Sequence, residues 1–176
     1  MIEETSRCCC ASLPDLAAVP MGGDGLDEQV FATVENVIDH GGDAWWLYLS
    51  QCRACGQHWM IAQEERIFDE YFLRRLTDIE AKRATFDAEW PDEFLSYERV
   101  LKTGHDLRIR PCIFLEPLSP SLVSTAEDLR KERPDISEEE IALLLGVSGT
   151  QAKRLLAVKS LGQGSWWQRM RVRLGL

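Results

Sequence analysis

Two cysteines separated by two residues, Cys52 and Cys55, are the side chains of this sequence best suited to chemistry. Thiolates at this spacing can bind one metal ion, because the intervening turn directs both sulfurs inward. Gly56 follows the pair and permits the positive φ angle that such a turn requires. The pair supplies two ligands, whereas a structural zinc ion takes four. The spacing therefore predicts half of a zinc knuckle.

The missing ligands are expected from a run of three cysteines near the N-terminus. Cys8 and Cys10 are the first choice, since two non-adjacent residues can both turn toward one metal ion. Cys9 and then His58 are the alternatives, and Cys112 is a reserve ligand. The alternative interpretation of the Cys-x-x-Cys pair is two reduced surface or core cysteines. A thioredoxin-type redox motif is less favoured, because no βαβ pattern surrounds the pair.

A site of four thiolates would be structural, because it leaves no open position for a water molecule or a substrate. It would join the N-terminal segment to the knuckle. The predicted zinc ligands are Cys8, Cys10, Cys52 and Cys55.

A zinc knuckle ordinarily lies at the turn of a β-hairpin, so strands are expected on both sides of the cysteine pair. Residues 44–49 are rich in strand-forming side chains, and residues 58–63 resume the extended pattern after the cysteines. A strand over 30–39, a turn at 41–42 and these two segments predict an antiparallel meander. Residues 1–29, which contain several prolines and glycines, are expected to be irregular.

Helices are expected after the meander. Apolar residues at helical spacing favour a helix over 64–76, with a continuing strand as the alternative at its start. Thr77 and Glu80 form a capping-box pattern for the next helix. The further elements are predicted as a helix over 78–90, a helix over 92–102 that Gly104 ends, and an extended segment over 107–115.

The composition changes after a proline-rich linker at 116–120, which predicts two parts. Residues 1–116 would form a zinc-ribbon-containing α+β domain. Residues 121–176 would form a helical unit with a basic, tryptophan-containing tail at 165–174. The expected fold class is therefore α+β, with an antiparallel hairpin or meander, flanking helices and a C-terminal three-helix unit.

The three-helix unit is expected to have helices over 122–132, 137–145 and 150–161. Within it, Ala142, Gly146 and Ala152 have the spacing at which a glycine turn lets two helices cross closely. This segment resembles the helix-turn-helix of bacterial regulators. A structural appendage that never touches DNA is the alternative. The residues that would face DNA are Ser148, Thr150, Gln151, Lys153 and Arg154.

The charge is negative and unevenly distributed. The net charge is −9, but residues 1–120 carry 11 Lys and Arg against 22 Asp and Glu, a net of −11. Residues 121–176 carry 9 against 7, a net of +2. The first part is a poor electrostatic match for nucleic acid and a good one for a basic protein. Solubility alone is the other explanation of the acidic excess.

The sequence favours a non-catalytic protein. It contains no Gly-x-Ser-x-Gly, no phosphate-binding loop and no His-Glu-x-x-His, and its three histidines have no ligand spacing. No run of about 18 apolar residues is present, so no membrane span is expected. The acidic start of the chain lacks the apolar centre of a signal peptide, which predicts a cytoplasmic protein.

One stretch resembles a known class of proteins. It contains Tyr48, Cys52, Cys55 and Trp59, followed by the acidic pair at 64–65. This line is similar to small bacterial immunity proteins encoded beside secreted polymorphic toxins. The resemblance covers 30 to 60 residues, and it implies a zinc-stabilised scaffold and a toxin partner. The competing hypothesis is a DNA-binding regulator that combines a zinc ribbon with the helix-turn-helix.

Overall fold

The computed structural model describes residues 8–22, 25–40, 46–112 and 116–158. Within these ranges, five strands form one antiparallel sheet with the order β1-β5-β4-β3-β2. Strands β2 to β5 form a meander, and β1 pairs with the outer side of β5. The predicted α+β fold with an antiparallel meander is confirmed. The strands are β1 (Leu16–Pro20), β2 (Val34–Asp39), β3 (Trp46–Cys52), β4 (His58–Glu64) and β5 (Glu70–Leu76).

Six α-helices are present in the part of the chain that the structure describes. The helix α2 begins with the predicted capping box, in which Thr77 and Glu80 exchange side-chain and backbone hydrogen bonds. Ser137 and Glu140 form a second capping box at the start of α5. The helices are α1 (Leu26–Phe31), α2 (Asp78–Phe86), α3 (Tyr97–Asp106), α4 (Pro120–Glu132), α5 (Glu138–Leu145) and α6 (Gly149–Ala157).

The sheet buries both of its faces. Along β4, Met60 and Ala62 belong to a large apolar cluster that includes side chains of α2 to α6. The alternating residues Trp59 and Ile61 belong to a smaller cluster on the other face. Residues 8–13, β1 and α1 contribute to this smaller cluster. The sheet is therefore the middle of three layers, since successive side chains of a strand point to opposite faces.

The prediction of a helix over 64–76 is wrong, because a turn after β4 leads directly into β5. The buried Glu64 carboxylate accepts hydrogen bonds from the backbone N–H groups of Arg66, Ile67 and Phe68, at 2.7 to 3.1 Å. The hydroxyl of Tyr97 donates a further bond to Glu64 at 2.6 Å. One carboxylate thus satisfies the amides of a tight turn, which a helix would have bonded to its own carbonyls.

Other boundaries also differ from the expectations. Residues 1–29 are not wholly irregular, because the apolar side chains of β1 and α1 pack into the smaller cluster. The strand expected from residue 30 begins at Val34, since α1 extends to Phe31. The helix expected over 78–90 ends at Phe86, and residues 107–112 form no strand. The predicted turn at 41–42 and the basic tail lie outside the described residues.

Gly104 does not end a helix, as the sequence suggested, but lies inside α3. The ring of Phe68 packs against its Cα. A Cβ atom at this position would lie 2.4 Å from Cε2 of Phe68. The glycine is therefore required by the close approach of the β4–β5 turn to α3, and not by a chain reversal.

The helices α4 to α6 share the large apolar cluster with the sheet. An ion pair of 2.8 Å between Arg66 and Asp128 also joins the β4–β5 turn to α4. His105 of α3 lies 3.1 Å from the carbonyl oxygen of Leu144 in α5. The division of the chain into residues 1–116 and 121–176 stays a prediction, because these contacts do not test whether either part folds alone.

We expect Gly104→Ala to lower the free energy of unfolding by about 1–3 kcal/mol, because the added methyl group overpacks the contact with Phe68. Urea denaturation followed by circular dichroism measures this change. Gly149→Ala is the matched control, since a Cβ there meets nothing within 4 Å. A Gly104→Ala protein as stable as the Gly149→Ala protein would contradict the packing described for α3.

Candidate metal centre

The Cys-x-x-Cys pair lies at the tight connection between β3 and β4. Cys52 is the last residue of β3, and the backbone N–H of Gly56 donates to its carbonyl oxygen at 2.8 Å. The N–H of Cys52 donates to the carbonyl oxygen of Gln57 at 2.9 Å, which closes the hairpin. Gly56 adopts φ +78°, as the sequence predicted for the residue after the pair. The pair therefore lies in a tight, hydrogen-bonded turn between two paired strands.

The N-terminal segment brings two further sulfurs to the knuckle. Cys10 begins a short 3₁₀ turn, Cys10–Ser12, that the hydroxyl and the N–H of Ser12 stabilise by donating to the carbonyl oxygen of Cys9. Cys10 is only 2% exposed, and Cys52 is only 1% exposed. Cys8 is half-buried, and Cys55 lies at the surface. The site is therefore closed on one side by the smaller apolar cluster.

The sulfur atoms of four cysteines all lie within 4.8 Å of one another. In a tetrahedral site with metal–sulfur bonds of about 2.3 Å, the sulfurs are about 3.8 Å apart. The observed cluster thus needs only small side-chain adjustments to enclose one ion. The structure brings together the four cysteines that the sequence predicted, which are Cys8, Cys10, Cys52 and Cys55.

The three alternative ligands lie outside this cluster. Cys9 lies between Cys8 and Cys10 in the sequence, but it is not one of the four residues of the cluster. The Nδ1 atom of His58 lies 3.6 Å from the carboxylate of Asp78, at the start of α2. Cys112 lies 3.4 Å from the carbonyl oxygen of Phe68, beside the β4–β5 turn.

Hydrogen-bond donors surround the sulfurs of the cluster. The indole N–H of Trp59 donates to Sγ of Cys10 at 3.4 Å. The hydroxyl of Thr33 lies 3.4 Å from Sγ of Cys52, which is also bonded by backbone amides of the knuckle, those of Ala54 and Cys55. Donors aimed at sulfur stabilise thiolates, which are the form that binds a metal ion.

These surroundings affect the two buried thiols in opposite directions. Burial raises the pKa of Cys10 to about 12, although the bond from Trp59 opposes the rise. The pKa of Cys52 is instead lowered to about 6. Burial alone would raise this pKa, but the hydrogen bonds from Thr33 and from the backbone amides of the turn outweigh the effect of burial. Crowded thiolates repel one another, so a bound divalent cation is what would let all four ionise together.

Arg75 of β5 fixes the N-terminal segment in place. Its guanidinium group donates to the carbonyl oxygens of Cys10 and Leu13, each at 2.8 Å. The same group stacks over the ring of Trp59, with Cζ 4.4 Å from the ring centroid. Its Nε atom also bonds the carboxylate of Asp15 at 2.9 Å. One side chain thus holds both the Cys10 backbone and the indole that bonds the Cys10 sulfur.

The sequence did not identify these supporting residues. Trp59 belongs to the segment that resembles immunity proteins, and its spacing from the cysteines is the one pattern in the sequence that points to it. Thr33 and Arg75 lie far from the cysteines in the chain and carry no local signal. The role of Arg75 depends on the pairing of β5 with β4, and that of Thr33 depends on the pairing of β2 with β3, which sets Val34 opposite Cys52.

The residues predicted to face DNA lie at the start of α6. Ser148 caps this helix and accepts a hydrogen bond from the N–H of Gln151 at 3.2 Å. The side chain of Gln151 in turn donates to the carbonyl oxygen of Pro117 at 3.0 Å, which is a structural contact. The exposed members of the set are Ser148, Thr150, Lys153 and Arg154.

The turn before α6 is made by a glycine, as the sequence predicted. Gly146 ends α5 with φ +65°, in the left-handed region. A Cβ atom at Gly146 would lie 2.7 Å from the ring of Pro111. Ala142 and Ala152 are both buried where α5 and α6 pack together. The predicted turn and helix crossing are therefore present.

Comparisons of the chain with family models, with curated proteins and with solved structures find no match. In the described ranges, no helix is both long and apolar enough to cross a membrane.

We expect Cys52→Ser to lose stoichiometric metal and to melt at a lower temperature than the unaltered protein, because it removes one of the four ligands. Trp59→Phe should keep the metal but weaken its binding by about tenfold, since outer hydrogen bonds to ligands tune affinity. Elemental analysis, thermal melting and competition with a chelator measure these effects.

Cys9→Ser and Trp90→Phe are the matched controls for this pair of variants. Cys9 is not a member of the cluster, and Trp90 packs against His40 elsewhere in the fold. Both control proteins should bind metal as the unaltered protein does. Equal metal loss in Cys9→Ser and Cys52→Ser, or full metal content in Cys52→Ser, would contradict the assigned ligand set.

Proposed function

We propose that this protein is a non-catalytic binding protein whose fold is stabilised by a structural zinc ion, and that it acts as an immunity-type protein against a bacterial toxin. The observation that carries the proposal is the closed group of four cysteines, all within 4.8 Å of one another. Such a group supports a scaffold and leaves no position for a substrate. Function is then assigned to the protein surface.

Zinc is the metal that fits this donor set best. Four thiolates in a tetrahedron are an established structural zinc site, whereas magnesium and calcium take oxygen ligands. When bound, zinc would supply a closed-shell cross-link that neither changes redox state nor activates water. The chain's own residues orient the ligands through the hydrogen bonds of Thr33, Trp59 and Arg75.

The cross-link would act between two distant parts of the chain. Cys8 and Cys10 belong to the N-terminal segment, and Cys52 and Cys55 belong to the β3–β4 knuckle. Joining them covers the second face of the sheet and limits the freedom of the unfolded chain. The role of the metal is therefore to hold a rigid sheet on which a binding surface can be presented.

The charge supports a basic partner. Residues 1–120 carry twice as many acidic as basic side chains, and a negative surface accelerates association with a cationic protein. Toxins that act on nucleic acids are cationic where they bind their substrate. An acidic protein that occupies such a surface would block it without any chemistry of its own. The resemblance of the segment around Tyr48 and Trp59 to immunity proteins favours the same partner.

DNA binding through α6 is the second candidate. It is favoured by the turn at Gly146, by the buried Ala142 and Ala152, and by the exposed cations Lys153 and Arg154. The three glutamates of the first turn of α5 oppose it, because they repel a phosphate backbone. The electrostatic balance therefore places this candidate after the protein partner.

We expect co-expression of this protein to restore the growth of cells that produce a nuclease-type toxin domain encoded by a neighbouring gene, because the two proteins would form an inhibited complex. The purified pair should elute as one stoichiometric complex in size-exclusion chromatography. A variant with Cys52→Ser should protect less well, since its scaffold is destabilised.

A failure to protect cells and to bind that toxin domain would contradict the proposal. In that case, fluorescence anisotropy with duplex DNA tests the second candidate. Tight, sequence-specific binding that is lost in a Lys153→Ala/Arg154→Ala protein would then favour a regulator.

A further inference from the structure

The four cysteines of the cluster differ in their access to solvent. Among the described residues, Cys55 is exposed and Cys8 is half-buried. In contrast, Cys10 is 2% exposed and Cys52 is 1% exposed. A Cβ atom at Gly56, the next residue after Cys55, would meet nothing within 4 Å, so the space beside the turn is open. A small solute can therefore reach the sulfur of Cys55 before it reaches that of Cys52.

Cys52 and Cys55 lie on one tight turn between two paired strands. The turn is closed by backbone hydrogen bonds from Gly56 to Cys52 and from Cys52 to Gln57. The two sulfur atoms lie within 4.8 Å of each other, and a disulfide brings them to about 2 Å. Rotation of the exposed Cys55 side chain supplies most of this movement. A disulfide within the pair would therefore leave the pairing of β3 with β4 intact.

Few contacts besides the cluster hold the N-terminal segment, residues 8–13, against the sheet. Cys10 is its one buried residue. The guanidinium group of Arg75 bonds the carbonyl oxygens of Cys10 and Leu13, and the indole of Trp59 bonds Sγ of Cys10. The segment covers Trp59, which is 0% exposed. Once the sulfur cross-link is lost, mainly the bonds of Arg75 oppose the opening of this segment.

We propose that the cysteine cluster is a redox switch, in which a peroxide oxidises Cys55 and Cys52 to a disulfide, abolishes metal binding and releases residues 8–13 from the sheet. This inference rests on the metal site of the proposed function and is independent of the toxin partner. A peroxide is the class of oxidant that fits, because it is small and accepts the two electrons that one disulfide gives up. The open state exposes Trp59 and the sulfur of Cys10.

The oxidation balances with one peroxide per chain. The Cys55 thiolate attacks a peroxide oxygen, so that an S–O bond forms, the O–O bond breaks and hydroxide leaves. The Cys52 thiolate then attacks the resulting sulfenic acid, so that the S–S bond forms, the S–O bond breaks and a second hydroxide leaves. The two thiolates lose two electrons, and the peroxide gains them. Cys8 and Cys10 are then the only ligands left, whereas a structural zinc site needs four.

The chain also contains two cysteines outside the cluster that show what exposure alone would do. Cys112 is exposed, but it lies beside the β4–β5 turn, at the opposite end of β4 from the cluster. Cys9 is half-buried next to the cluster without being one of its four members. Neither has the position of Cys52, which shares a tight turn with an exposed thiol.

The experiment treats the reduced, metal-loaded and isotopically labelled full chain with one equivalent of hydrogen peroxide. A chromogenic chelator measures metal release, mass spectrometry of peptides maps the disulfide, and NMR follows the exchange of the Trp59 indole N–H with solvent. We expect the release of one metal ion per chain and a disulfide between Cys52 and Cys55. The indole exchange should become faster by on the order of tenfold, since a buried N–H exchanges through local opening. A dithiol reductant and added zinc should restore the starting state.

Cys9→Ser and Cys112→Ser are the matched controls. Both proteins should release metal and form the disulfide as the unaltered protein does, because neither residue belongs to the cluster. Loss of the response in either control protein would overturn the switch.

The identity of the disulfide decides whether the segment is released. A disulfide from Cys55 to Cys8 or Cys10 would keep the N-terminal segment cross-linked to the turn, and it would overturn the switch. Metal that stays bound after peroxide treatment, or an indole exchange rate that does not change, would overturn it as well.

The outcome is separable from that of the proposed function. Metal that survives the peroxide, without any disulfide in the cluster, would overturn the switch and leave the structural zinc standing. A reduced protein that binds no metal would contradict the metal centre and the switch together. Oxidative opening in a protein that gives no protection against the toxin would support the switch and contradict the immunity function.

Discussion

The structure depends on the meeting of four sulfur atoms between the N-terminal segment and the β3–β4 knuckle. Residues 8–13 contain little regular structure, and few apolar groups attach them to the sheet. Their position is fixed by the sulfur cluster and by the bonds from Arg75 to the Cys10 and Leu13 carbonyls. Without a cation, burial and mutual repulsion oppose the ionisation of these thiols, so the metal ion that we propose would couple its own binding to the closing of this layer.

The proposed coupling would account for the difference between the two faces of the sheet. The helices cover one face with a large apolar cluster, which is sufficient to hold a sheet without further links. The other face has only a small cluster, in which Cys10 and Cys52 are themselves buried members beside Trp59. A metal cross-link is a common solution where the apolar area is small. In our proposal the site stabilises the fold, and the exposed surfaces act in recognition.

The sequence predicted the parts that local spacing determines. The tight turn at the Cys-x-x-Cys pair, the meander and the capping box at Thr77 follow from patterns a few residues long, and the choice of Cys8 and Cys10 followed from the need for four ligands. The β4–β5 turn was missed because Glu64 satisfies three amides with its side chain, which leaves no mark in the periodicity. Arg75 was missed because the two carbonyl groups that it bonds, those of Cys10 and Leu13, lie more than sixty residues away in the chain. The exposure of Phe86 was also unpredictable, since an apolar residue in a helix is ordinarily turned inward.

X-ray absorption spectroscopy of the purified protein at the zinc edge tests the central claim most directly. A metal held by the four cysteines should show a single shell of four sulfur atoms at about 2.3 Å, with one ion per chain. A shell that contains nitrogen or oxygen, a shell of only two sulfurs, or a protein that is fully folded without metal would contradict the account.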